Sequence, residues 1–132
     1  MKTGIIDCGG GLRGIYGAGV FDYCLDKYIS FDVVIGISAG SANLASFSSG
    51  QRGRNYYFYH EYPFRKEYMS IDNLLKKKYY LDLDYVYGKL SNSDGENPFD
   101  FDKFIKNKTE KYIVTTDAKT GEAKYFDANK MK

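Results

Sequence analysis

Tryptophan is absent from this chain, and histidine, cysteine and proline are scarce: one His, two Cys and two Pro in 132 residues. Each scarcity narrows the function. Cys8 and Cys24 do not fit metal-ligand spacing, and two thiols on buried-looking elements suit a cytosolic, reducing compartment. No acidic loop has calcium-ligand spacing, so neither metal nor other cofactor is expected. A net charge of only +2 gives no strong pull towards nucleic acid. No apolar run reaches membrane-spanning length. Lys2 leads at once into a strand and a glycine loop, so no signal peptide is expected. There are no internal repeats and no low-complexity linker, and the length fits one domain or part of one.

What the chain does have is glycine in patterned places. The β-branched run Phe31-Asp32-Val33-Val34-Ile35 reads as a buried strand and leads into Gly36-Ile37-Ser38-Ala39-Gly40. Small and apolar residues then continue to Phe47 at helical spacing. Strand, sharp turn and helix place Ser38 at the tip of a strained elbow, near the positive end of a helix. A side chain at position 36 or 40 would collide where the backbone turns most tightly. Ser38 reads either as a nucleophile or as a helix N-cap serine between packing glycines.

A second glycine motif lies near the N-terminus. A strand over residues 3–8 runs into Gly9-Gly10-Gly11-Leu12-Arg13-Gly14, and a helix follows with Ala18, Phe21, Cys24, Leu25 and Tyr28 at its spacing. Consecutive glycines before a helix leave backbone N–H groups uncovered, which makes an anion site. A phosphate-binding loop would end in Gly-Lys-Ser/Thr, whereas this one ends in Arg13-Gly14-Ile15. A dinucleotide loop fits Gly9-x-Gly11-x-x-Gly14 but wants an acid at the end of the second strand, and Asp32 sits at the wrong end. An oxyanion hole serving Ser38 uses both motifs at once, because adjacent parallel strands carry both loops to one edge of the sheet.

Asp7 to Gly14 followed by Gly36 to Gly40 resembles the patatin-like phospholipases, a family of acyl-ester hydrolases. The resemblance continues through Tyr112 to Asp117, Lys119-Thr120-Gly121-Glu122 and Ala123 to Phe126, which look like the family's strand, turn and strand. It implies Ser38 as nucleophile, the amides of Gly10, Gly11, Leu12 and Arg13 as oxyanion hole, and Arg13 as a lock on the loop, with Gly9, Gly14, Gly36 and Gly40 completing the motifs. It also implies a Ser–Asp dyad without catalytic histidine, the aspartate lying in a downstream Asp-Gly-Gly or Asp-Gly-Ala. The only Asp-Gly pair here is Asp94-Gly95, in a polar turn ahead of the strand pair, and Asp127 precedes Ala128-Asn129. The expectation is therefore that residues 1–132 are the N-terminal portion of one longer domain, with the base beyond Lys132.

The expected fold is an α/β three-layer sandwich with a mainly parallel central sheet, incomplete in this chain. Strands are expected over 2–8, 31–36, 112–116 and 124–126, and helices over 14–27, 38–49, 54–62 and 100–106, with a short helix starting near Ser70 and residues 81–87 ambiguous. His60 would precede any later acid, against the Ser, acid, His order of the α/β-hydrolases, so a triad is not expected. Aromatics are abundant, 14 Tyr and 9 Phe, and concentrated at 56–62 and 79–80; they read as cap and core packing, or as an acyl pocket or interfacial surface. Lysines cluster at 76–78 and recur between 103 and 111, reading as solvated faces or as weak attraction to anionic lipid. The substrate is expected to be a phospholipid or other acyl ester. Peripheral membrane contact and self-association through exposed apolar surface are expected companions. Rival readings are an acyltransferase on the same scaffold and a non-catalytic lipid-binding or interaction module.

Overall fold

Short β-branched runs form the strands. In the computed structural model, which describes residues 1–131, β1 (Gly4–Asp7) pairs in parallel with β2 (Val33–Ile37), and β2 in parallel with β3 (Glu110–Thr116). β4 (Ala123–Asp127) returns antiparallel to β3, giving the order β1-β2-β3-β4. The turn between them is tied by the Asp117 carboxylate, which accepts the Lys119 and Thr120 N–H groups, and closes at Gly121 with φ +74°. The chain is thus α/β with a mainly parallel sheet, as expected.

Helices α1 (Ile15–Asp26) and α2 (Ala39–Ser48) follow the first two strands. α2 lies against β1, β2 and β3, and α1 packs over α2. Val34 on β2, Leu44 on α2, Phe104 on α5 (Phe101–Lys106) and Ala128 form the buried centre of this layer, with Ile5, Phe31, Phe47 and Ile113 around it. On the opposite face the register aligns Ile6, Ile35 and Tyr112 in one row and Ile37, Val114 and Tyr125 in the next.

A second core serves the middle of the chain. Phe58 on α3 (Arg54–His60), Tyr62, Tyr68, Val86 and Leu90 bury one another. Tyr62 and Pro63 begin a 3-10 turn that ends α3's run, and α4 (Ile71–Lys77) follows. Asp84–Leu90, which overlaps the ambiguous residues 81–87, is a π-helix. Its wider turn matches no ordinary helical period. Much of the tyrosine-rich segment therefore packs, while Tyr56, Tyr57, Tyr79 and Tyr80 stay exposed.

Two expectations fail. Cys8 is exposed, because the chain leaves the sheet at Asp7, the last paired residue of β1; Cys24 is buried, and burial pushes its thiol up. Lys111 is not on a solvated face but fully buried on β3. Its ammonium donates to the Asn107 and Thr109 carbonyls at 2.6 and 3.1 Å and lies 5.3 Å from the Phe104 ring centre, and burial lowers its pKa. Buried charge is tolerated there because its protons find carbonyl partners.

Candidate active site

The elbow is set by crowding between backbones. Ser38 links β2 to α2 with φ +55° and ψ −129°, a region that non-glycine residues avoid at a cost of about 1–3 kcal/mol. Neighbours leave the chain no alternative path. A Cβ on Gly36 would lie 2.6 Å from Ser41 Cα, and one on Gly40 would overlap the Asp7 carbonyl. α2 begins with the Ser41 N–H donating to the Ser38 carbonyl at 3.0 Å. The Ser38 side chain makes no capping hydrogen bond and stands exposed. Ser38 thus holds the N-cap position without a side-chain cap, and its hydroxyl has no hydrogen-bond partner among the described residues.

The glycine loop faces the same edge. Gly9, Gly10 and Gly11 all have positive φ (+70°, +123° and +61°), a run only glycine adopts at little cost. Gly9 is wedged against the elbow, since a Cβ there would lie 2.6 Å from the Ile37 carbonyl oxygen. Arg13 closes the loop, its backbone N–H donating to the Gly10 carbonyl at 3.3 Å and its Nε approaching the same oxygen at 3.4 Å. Among the described residues the N–H groups of Gly10, Gly11 and Leu12 have no acceptor. Gly14 sits tight between Tyr59 and Ala39.

Gly11, Leu12, Ser38 and Ala39 share one cavity of about 450 Å³. Phe58, Tyr68, Met69, Leu81, Leu83 and Val86 form its apolar wall. Among the described residues no Asp or Glu lines it, and Arg54 is its one formal charge. The Arg54 guanidinium is buried against the Phe58 and Phe99 rings, 4.7 and 5.4 Å from their centres, and burial pulls its pKa down without discharging it. The structure thus brings the elbow and part of the loop into one cavity, whose lining does not include Gly9, Gly10, Arg13, Gly14, Gly36 or Gly40.

Sequence reading missed what joins the two motifs. Asp7 accepts the Gly9 N–H through Oδ1 and Asn43 Nδ2 through Oδ2, both at 2.8 Å. Asn43, fully buried on α2, also donates to the Gly14 carbonyl at 2.9 Å, and its Oδ1 meets Asn55 Nδ2 at 2.9 Å and the Tyr59 hydroxyl at 3.0 Å. Burial, reinforced by the Asp7 charge, drives the Tyr59 phenol far above its usual pKa. Loop, elbow helix and α3 are thereby tied through one asparagine. The available signal was Asn43, the one amide on a helix of otherwise small or apolar residues.

The candidate acids stand elsewhere. Asp127 spends its carboxylate on the Asn129 N–H and on Lys130, which holds its pKa down, and lies two strands from the elbow. Asp94 is in the turn beyond the π-helix and does not line the cavity. His60 is exposed, stacked on Tyr56 at 4.7 Å, and also outside the cavity.

A glycine loop packed against a strained strand–serine–helix elbow is matched by a family model, that of the patatin-like phospholipases, over residues 8–130. The chain belongs to this family. YjjU, an uncharacterized protein of Escherichia coli (strain K12), is 33% identical over 79 residues, which are 59% of this chain and 22% of that protein. The match thus spans less than a quarter of that relative's length. No solved structure matches the chain. Among the described residues no helix is long and apolar enough to cross a membrane.

Proposed function

We propose that this chain carries the nucleophile and oxyanion hole of a serine lipid acyl hydrolase. The observation that supports it most is Ser38, held at positive φ without a capping bond, in the same cavity as Gly11 and Leu12, whose N–H groups have no acceptor among the described residues. Strain persists where structure over-determines it, and such places cluster at active sites.

In this reading Ser38 Oγ attacks the ester carbonyl and its proton passes to a carboxylate base. The carbonyl electron pair moves onto oxygen, where the Gly10, Gly11 and Leu12 amides receive it; one such donor is worth about 3 kcal/mol to the transition state. Collapse of the tetrahedral intermediate expels the alcohol, which takes the proton from the base, and leaves an acyl-serine. Water, activated by the same carboxylate, then releases the fatty acid. The family resemblance implies that the base is the aspartate of an Asp-Gly-Gly or Asp-Gly-Ala, and residues 1–132 contain neither tripeptide. Phe58, Tyr68, Leu83 and Val86 would take the acyl chain.

The experiment is fluorophosphonate labelling of the full-length protein with mass-spectrometric mapping. An adduct on Ser38 that disappears in Ser38→Ala supports the assignment. Equal labelling of the variant overturns it.

A further inference from the structure

Helix α4 is inside out. Asn73 is its one buried residue, with Nδ2 donating to the Lys66 and Glu67 carbonyls at 3.3 and 3.2 Å. Ile71, Leu74 and Leu75, spaced three and four apart on one face, are 68%, 48% and 67% exposed. A soluble helix of ordinary design does the reverse. The arrangement is not loose: the Ser70 hydroxyl caps the helix by accepting the Asn73 N–H at 3.1 Å, and Lys78 ends it in the left-handed region at φ +66°.

The helix is the tip of a clamped excursion. Met69 and Leu81 form an isolated antiparallel bridge at its base, the Ser70 N–H donates to the Tyr80 carbonyl at 3.2 Å, and the Asp82 N–H to that of Tyr68 at 2.9 Å. Met69, Leu81 and Leu83, at that base, are wall residues of the Ser38 cavity. The tip is also basic. Lys76, Lys77 and Lys78 follow the exposed aliphatics, against Asp72 alone among the acids of residues 70–80, and exposed Tyr79 and Tyr80 come next. Aliphatic side chains, an amphipathic aromatic pair and a cationic cluster together are the composition of an interfacial helix.

We propose that the 70–80 excursion is a docking surface for anionic phospholipid bilayers, with Ile71, Leu74 and Leu75 entering the headgroup–acyl boundary and Lys76 and Lys78 meeting lipid phosphates. Charge complementarity selects a lipid surface over a second copy of this chain, whose own excursion would bring the same net positive charge. Docking there sets the cavity wall at the membrane, so an acyl ester can pass from bilayer to Ser38 without crossing water. The purpose of docking rests on the hydrolase reading; the docking itself does not.

The test is flotation of the full chain with phosphatidylcholine vesicles, with and without phosphatidylglycerol. Binding is expected only when phosphatidylglycerol is present. Ile71→Glu with Leu75→Glu, both exposed positions, should weaken it at least about tenfold. Lys76→Gln with Lys78→Gln should weaken it about fivefold per lysine and remove its salt dependence. Lys77 is left alone because it pairs with the buried Asp82. Circular dichroism confirms that each variant is folded. The proposal is overturned if wild type does not float, if both double variants float as well as wild type, or if the glutamate variant only converts a dimer to a monomer without changing flotation. Ser38→Ala should float normally. Normal flotation with no Ser38 adduct in the full-length protein would sink the hydrolase reading and leave the docking surface standing.

Discussion

The first fifty residues and the stretch from Arg54 to Leu90 are built on different principles. In the first, position is dictated by backbone crowding: Gly9, Gly36 and Gly40 are each the one residue that fits between elements already in contact. In the second, position is dictated by mutual burial of Phe58, Tyr62, Tyr68, Val86 and Leu90, with a π-helix and an inverted helix accommodated around them. The contrast teaches where tolerance lies. A site held by glycines admits no side-chain growth, while a wall built of packed aromatics and aliphatics can change shape and still close. The cavity takes its chemistry from the first and its lining from the second.

The largest expected effect breaks the rigid half. Gly40→Ala places a methyl group into the Asp7 carbonyl and should cost about 4 kcal/mol or more in urea denaturation. Gly19→Ala, on an open face of α1, should be neutral or stabilising by up to about 1 kcal/mol. If both variants lose stability alike, crowding at the elbow is not what fixes it.

Next comes the joint between the halves. Asn43→Ala strips Asp7, Gly14, Asn55 and Tyr59 of a shared partner and should destabilise by about 3 kcal/mol, whereas Tyr59→Phe, which removes one hydroxyl, should cost about 1 kcal/mol. Similar losses for the two would mean that Asn43 is not the hub.

A smaller, conditional effect belongs to the second half. The Lys77 ammonium and the Tyr85 N–H hold the Asp82 carboxyl below its usual value. A group whose folded pKa is depressed contributes stability above its unfolded pKa, about 4, and loses that contribution as pH falls towards the folded value. Hydrogen exchange should therefore show residues 68–85 loosening in acid before the sheet does. Asp82→Asn should exchange faster at neutral pH and lose the acid response. The smallest effect is expected at His60, where His60→Gln should change stability by less than about 0.5 kcal/mol and leave Ser38 labelling intact.

The same contrast explains what could be read from residues alone. The elbow and the loop were legible because each motif is a short run whose glycine spacing shows in the sequence, although the contacts that demand Gly9 and Gly40 come from the other motif, at Ile37 and Asp7. The strands and their parallel pairing followed from the β-branched runs at 4–7 and 33–37. The Asp7–Asn43 contact joins residues 36 apart, and no local pattern carries it. Residues alone gave only a short helix starting near Ser70; hydrophobicity argues for burying Ile71, Leu74 and Leu75, and only the Asn73 contacts reveal that they point outward. Lys111 misled for the converse reason: charge argues for exposure until carbonyls are found around the ammonium.

The central claim is that the Ser38 hydroxyl is a nucleophile served by the glycine-loop amides. The most direct measurement is the site of fluorophosphonate modification in the full-length protein, wild type beside Ser38→Ala. The account predicts one adduct, on the peptide containing Ser38, absent from the variant. No adduct on that peptide, or an adduct of equal yield elsewhere in both proteins, would contradict it.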